Sequence, residues 1–407
     1  VRPWQFLRAL RARGHRITVV APIAGRAEAA DMARLEADGL PSLGRRQGRA
    51  ARLVGMGRAW ADGRPLQAGY AHSPALAADI AAELDRAEAA GDPYDLAHVE
   101  HLRGSVYALG LAGRLPLVWD SVDCITSLFE QARERAASLS ARWMPVLELA
   151  RTRAEEGRLA LAMPRILVTS ESDRAALMAL ALRRLRLDAR APGIGGQEPV
   201  LPRITVIPNG TDLEGFRPPD RPREPDSLVF SGKLSYHANV AAAAFLVQSI
   251  MPLIWLERPA LRLILAGAEP SRSLRAWAAA EPRIELTGKV EDLGAVLASA
   301  SVAVAPMVYG VGIQNKVLEA MACATPVVAT SRVLSGLSAE PGRDLLVGET
   351  AEALAQQILL LFDQPAQAAA IGEAGRRFVE RHHGWDAAAA ALEQSYREAI
   401  ADWAGTR

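Results

Sequence analysis

The stretch from Pro306 to Thr330, P-M-V-Y-G-V-G-I-Q-N-K-V-L-E-A-M-A-C-A-T-P-V-V-A-T, constrains the fold more than any other. Val302 to Pro306 is an apolar run that reads as a buried strand. Gly310 and Gly312 open a tight loop. Ile313 to Ala322 then places apolar residues at 313, 317, 318 and 321, which is helical spacing. Pro326 to Ala329 reads as the next strand. A strand, a glycine loop and a helix start form an anion site, because unpaired N–H groups point out of the first turn. Lys316 and Glu319 are three residues apart and share one helix face. They are either a cation for a nucleotide's diphosphate and a carboxylate for its ribose, or a surface pair on a buried αβ unit. Gly-x-Gly before a helix does not by itself separate the two. Lysine usage favours the first. The chain has 47 Lys plus Arg, yet the lysines are only 233, 289 and 316. A compact point charge at 316 does what a planar guanidinium does not.

Read as G-x-x-x-K-x-x-E-A-M-A followed by T-P-V-V-A, the stretch resembles the donor site of the retaining glycosyltransferases with two Rossmann-like domains. That is the GT-B architecture, glycosyltransferase family 4 or group 1 type. Many members carry a Glu eight residues before the one matching Glu319; here Val311 stands there. The form G-I-Q-N-K-V-L-E-A-M-A is similar to sugar transferases of bacterial exopolysaccharide clusters. The implied fold is α/β, with two doubly wound parallel-sheet domains facing a cleft.

A chain of 407 residues suits two domains, and half apolar with 23% charged residues suits a globular class. Net charge of +1 argues neither for nor against nucleic acid. Residues 1–60 hold twelve arginines against Glu28, Asp31, Glu36 and Asp38. That face could meet an anionic membrane surface or simply be solvated. Cys124 and Cys323 give neither a disulfide framework nor metal spacing. Val240 to Leu256 is apolar but broken by Gln248, Ser249 and Pro252, so it reads as a buried helix.

Taken in order, Pro3 to Arg13 is a helix capped by Gly14, and Ile17 to Ala21 a strand. A doubly wound domain opens with a strand and a glycine loop. The helix-first start therefore predicts that the first strand of this sheet is missing. Residues 40–70 read as a loop with a short helix near Leu53 to Trp60. Ser73 and Pro74 start a helix. Tyr94 to His101 is a strand whose carboxyl end carries Glu100, His101 and Arg103. His101 is a candidate acid, base or orienting group, or a polar loop contact; His98 lies within the strand and reads as structural. Leu117 to Trp119 is a strand followed by Asp120 and Asp123, read as helix capping or acceptor contact. Residues 125–162 are helical. Arg165 to Thr169 is a strand, Ser170 to Asp173 opens a helix, and Ala189 to Pro202 is a loop. Ile204 to Pro208 is a strand, and the proline-rich residues 218–226 are the linker.

The second half alternates strand and helix, as a parallel sheet does. Its strands are Leu228 to Phe230, Leu261 to Ala266 and Ile284 to Thr287, followed by the two described first. Asn239 reads as an N-cap. The expected domains are 1–217, 227–381, and a final helix in 382–407 that crosses back to the first.

The resemblance implies a sugar moved from a nucleotide-sugar to an acceptor hydroxyl with retention, no metal and no further cofactor. It gives Lys316, Lys233 and His101 catalytic roles. Donor contacts fall on Gly232, Gly312, Ile313, Gln314, Asn315, Glu319 and Val290. Acceptor contacts fall on Glu100, Arg103, Asp120 and Asp123. A glycan or lipid-linked acceptor, no nucleic acid, and a cytoplasmic place at or near the inner membrane face go with it. An epimerase on the same fold, or a nucleotide-sugar binding protein without turnover, are the alternatives.

Overall fold

Most of the apolar runs are parallel strands, buried on both faces. The computed structural model describes residues 2–135, 139–188 and 201–405. The expected loop at 189–202 lies almost wholly outside them. The chain forms two compact units. The first comprises Val1–Phe129, Val146–Ile207 and Ala389–Arg407; the second comprises Glu130–Pro145 and Pro208–Ala388.

The first unit holds two parallel sheets. Strands β1 (Val19–Ile23) and β2 (Ser42–Arg46) pair with each other. Strands β3 (Ala97–Glu100), β4 (Leu117–Val122), β5 (Arg165–Val168) and β6 (Arg203–Val206) form a second sheet in that order. Trp119, Leu159, Ile166, Val168 and Leu177 build its core, all with no exposed surface. Residues 40–70 contain the helix expected near Leu53 to Trp60, here Arg49–Ala61, and in place of the rest of the expected loop β2 and a second helix, Leu66–Ala71. Ser73 caps the helix Pro74–Ala89 by accepting from the Leu76 N–H at 3.3 Å, as its sequence signature predicts. The last helix, Trp385–Ala404, lies in this unit from Ala389 onward. Tyr396 there meets His98 Nδ1 at 2.9 Å, and the buried Arg165 guanidinium bonds to Glu398 and Asp402. His98 is thus a structural residue inside β3.

The second unit carries a six-stranded parallel sheet in the order β12-β11-β10-β7-β8-β9. Its strands are β7 (Glu224–Ser231), β8 (Arg262–Ala266), β9 (Ile284–Gly288), β10 (Ala300–Ala305), β11 (Val327–Ala329) and β12 (Leu346–Val347). Near-continuous apolar runs such as L-V-F in β7 and L-I-L-A in β8 suit strands covered on both faces. β7 starts at Glu224, inside the segment expected to be a linker. The helical stretch His237–Glu257 is, by length and composition, apolar enough to cross a membrane. Here Ala242, Leu246, Ile250 and Ile254 form one fully buried stripe, as the buried-helix reading expects. A π turn at Leu246–Ile250 precedes Pro252, whose ring cannot supply a helical N–H.

Sheet order places β7 and β10 side by side, so both strands deliver their following loops to one edge.

Candidate functional site

After β7 the chain turns at Gly232, whose φ of +142° few side chains tolerate. Gly267, after β8, has φ +152°, and a methyl there would lie 1.8 Å from the Gly232 carbonyl oxygen. The Gly232 N–H donates to the Ala266 carbonyl at 2.9 Å. Two glycines thus let two strand ends touch backbone to backbone. A methyl on Gly232 would meet Asn239 Nδ2 at 2.8 Å and Lys316 Cε at 3.4 Å. The β7 loop and the helix Asn315–Ala322 therefore meet at Gly232.

Lys316 stands in the first turn of that helix, its side chain only partly exposed. Its ammonium donates to Gln314 Oε1 at 3.2 Å and lies 3.7 Å from Met307 Sδ, with the Phe230 ring centre 5.8 Å away. Burial pushes its pKa down to about 8, while the Glu319 carboxylate acts the other way. Burial pushes Glu319 up, and Lys316 opposes it. The helix starts on Gln314, which makes no side-chain cap bond; the Val317 N–H donates to the Gln314 carbonyl at 2.9 Å, and those of Asn315 and Lys316 remain open. Gly312 has φ +64°, and Gly336 packs against its carbonyl oxygen, which clamps the loop. Ile313 is buried. Asn315 Oδ1 accepts from Asn209 Nδ2 at 3.1 Å. Val290 is partly exposed in the loop after β9.

Lys233 points out to solvent and pairs with Glu269 at 3.1 Å, both more than half exposed. An exposed pair contributes little stability, so exchanging Glu269 for a phosphate costs little. Asn239 is not an N-cap: the helix begins at His237, and Asn239 Nδ2 holds the Lys233 carbonyl at 3.0 Å.

The sequence reading missed His237 and Tyr309. His237 Nδ1 lies 2.9 Å from the Tyr309 hydroxyl, and their rings stack 5.5 Å apart at 14°. Burial lowers the His237 pKa, so the ring is neutral at pH 7. The pair ties the first turn after β7 to the loop after β10. The available signal was a histidine four positions after Lys233. Tyr309→Phe is expected to free His237 and weaken nucleotide binding several-fold with the fold intact. Unchanged binding in calorimetry would make the pair incidental.

In the first unit, His101 has φ +58° and is exposed, and its carbonyl oxygen accepts the Trp119 indole N–H at 3.2 Å. Val122, at the end of the adjacent strand, has φ +65°, a costly conformation for a β-branched residue. Such strain at neighbouring carboxyl ends of strands marks candidate functional positions. Burial would raise Glu100, but the His98 hydrogen bond and the charges of His98, His101 and Arg2 hold it below the usual carboxylate range. Arg103 is exposed, 5.9 Å from the Tyr70 ring centre. Asp123 accepts from Thr169 Oγ1 at 3.1 Å, and burial, with Asp173 nearby, pushes it up to about 7.

Asp120 needs correction. It lies inside β4, has no exposed surface, and pairs with Arg2 at 2.8 Å while accepting from the Val122 N–H. It is an internal counter-ion, out of reach of an acceptor. His98, Glu100 and Asp120 also cluster with ligand-type atoms within 4.8 Å. The donor set suits a metal poorly, since both His98 nitrogens have partners and the Arg2 cation is already beside Asp120.

Residues 225–364 match the family model described as glycosyl transferases group 1. Over those residues, in the second unit, the chain is similar to group 1 glycosyltransferases. The chain is 30% identical over 240 residues to a D-inositol 3-phosphate glycosyltransferase of Kineococcus radiotolerans, covering 50% of this chain and 54% of that one. It is 27% identical over 206 residues to a GDP-mannose-dependent monoacylated alpha-(1-6)-phosphatidylinositol monomannoside mannosyltransferase of Corynebacterium glutamicum, covering 46% and 54%. The chain thus spans about half the length of the curated relatives it matches. Its fold resembles that of sucrose-phosphate synthase from Thermosynechococcus elongatus, with TM-score 0.65, 19% identity, and 98% and 92% of the two chains covered. It also resembles Anabaena HepE in complex with UDP-glucose, with TM-score 0.63, 14% identity, and 94% and 100% covered. The chain has the GT-B fold of two Rossmann-like domains.

Proposed function

We propose that the chain moves a sugar from a nucleotide-sugar donor to an acceptor hydroxyl, with retention at the anomeric carbon and no metal in the reaction. One observation carries the reading: Gly232, Lys316 and the uncapped start of the Asn315–Ala322 helix converge at one edge of a parallel sheet. The glycine gives a diphosphate backbone access. The helix N–H groups and Lys316 supply positive charge where the leaving diphosphate gains negative charge. Lys233 exchanges Glu269 for phosphate oxygens, Glu319 accepts from the ribose hydroxyls, and Val290 borders the base. In the first unit, His101, Glu100 and Arg103 are the proposed acceptor-side groups. That the Corynebacterium relative is a phosphatidylinositol monomannoside mannosyltransferase, together with the exposed Leu53 and Trp60 on the Arg49–Ala61 helix, supports a cell-envelope glycan role at the cytoplasmic membrane face.

A mass-spectrometric screen of nucleotide sugars tests this. The expected result is acceptor-dependent release of nucleoside diphosphate with a retained anomeric product. Free nucleotide without acceptor would point to an epimerase, and binding without turnover to a binding protein.

The Lys316 environment adds a pH dependence. The ammonium is present below pH about 8 and lost above it. Under conditions where chemistry limits, kcat/KM should therefore fall as pH rises through about 8, because that profile reports the free enzyme. Bound diphosphate favours the charged form, so the limb in kcat should move upward. Lys316→Arg should abolish the limb. A limb unchanged in Lys316→Arg belongs to another group.

A further inference from the structure

The first unit contains a cavity of about 640 Å³ bounded by the end of β2 and the helices Arg49–Ala61, Leu66–Ala71 and Pro74–Ala89. Its shape follows from two glycines. A methyl on Gly55 would lie 2.4 Å from the Gly69 carbonyl oxygen, and one on Gly69 would lie 2.2 Å from that of Gly55. The two helices cross in backbone contact there. Gln47, buried at the strand end, donates its amide to the His72 carbonyl at 2.6 Å and fixes the remaining wall.

The charges around this cavity are unbalanced. Arg46, Arg58 and Arg64 line it against a single lining carboxylate, Asp62. Arg64 is committed to Glu155 at 2.7 Å. The guanidinium groups of Arg46 and Arg58 are exposed and have no hydrogen-bond or ion-pair partner among the described residues. Elsewhere in this unit Arg16, Arg86 and Arg114 each hold a carboxylate. The contrast is sharpest at adjacent positions. Arg45 pairs with Asp79, while Arg46, on the opposite face of the same strand, lines the cavity. Val54 and Ala51 add an apolar wall.

We propose that this cavity takes the phosphate-bearing end of the acceptor, held by Arg46 and Arg58. The inference rests on the glycosyltransferase reading and adds the acceptor's chemical class. Guanidinium forks match phosphate oxygens two at a time. The apolar wall suits the remainder of the acceptor. A soluble sugar phosphate and a lipid phosphodiester headgroup share this chemistry.

The test is calorimetric titration of inorganic phosphate into the full chain, with the nucleotide site saturated by whichever of UDP or GDP binds. Arg46→Gln and Arg58→Gln should each weaken phosphate binding about tenfold or more. Arg45→Gln, on the opposite face of the same strand, should leave it unchanged. Both cavity variants alter exposed side chains, and circular dichroism checks that they fold. A second arm compares inositol 1-phosphate with dioctanoyl phosphatidylinositol below its micellar concentration. Tighter binding of the lipid, lost in Val54→Asp, identifies a lipid headgroup; equal binding identifies a soluble phosphate. Phosphate that does not bind the wild type, or binds Arg46→Gln and Arg58→Gln equally well, overturns the proposal. If nucleotide binding persists in that case, the glycosyltransferase reading stands and only the pocket falls. If the wild type binds no nucleoside diphosphate, the underlying reading fails instead.

Discussion

Lys316→Ala is expected to lower turnover by about 10²–10³, roughly 3–4 kcal/mol, while weakening donor binding far less. In the bound donor the diphosphate already carries charge, shared with helix N–H groups and Lys233. As the glycosidic bond breaks, further charge builds on the leaving oxygen. A cation aimed there acts more on the transition state than on the ground state, and only that difference speeds chemistry. The half-buried position of Lys316, beside Gln314 and the Phe230 ring, makes its charge stronger than a surface lysine's. Lys316→Arg should recover only part, because the guanidinium places its charge differently. Glu319→Gln should instead weaken nucleotide binding, since ribose does not change charge. Steady-state kinetics decides. Lost affinity with normal turnover in Lys316→Ala would reduce the lysine to binding, and near-normal kinetics would return it to a surface pair.

Gly267→Ala should be the most damaging single methyl in the second unit. The added carbon would sit 1.8 Å from the Gly232 carbonyl oxygen, on a backbone at φ +152°. Strain and overpacking together cost about 3–5 kcal/mol. For a unit of this size that lowers Tm by roughly 10 °C. Gly342→Ala is the matched control: φ is +82° but nothing lies within 4 Å, so strain alone applies, about 1 kcal/mol. Equal shifts in thermal melts of the two variants would show that the strand ends do not touch as described.

Legibility followed the range of the interactions. Lys316 and Glu319 could be read because strand, glycine loop and helix are local and their periods show in the sequence. The long parallel strands of the second unit were legible for the same reason, as both faces are covered. β2 was not: S-L-G-R-R is half exposed in a two-stranded sheet and carries no apolar run. Asp120 was misplaced because the apolar run stops at Trp119, whereas β4 continues through polar residues supported by Arg2, 118 positions away. Asn239 was misread, and His237 missed, for a related reason. Their partners, the Lys233 carbonyl and the Tyr309 hydroxyl, are set by tertiary geometry that local capping rules do not contain.

The central claim is that the edge formed by Gly232, Lys316 and Glu319 holds a nucleoside diphosphate. Calorimetric titration of UDP and GDP into the full chain and into Glu319→Gln tests it most directly. The account predicts that one of the two binds the wild type and that Glu319→Gln weakens it about tenfold or more, the loss of a charge-assisted hydrogen bond. No binding by either nucleotide, or equal affinity in Glu319→Gln, would contradict it.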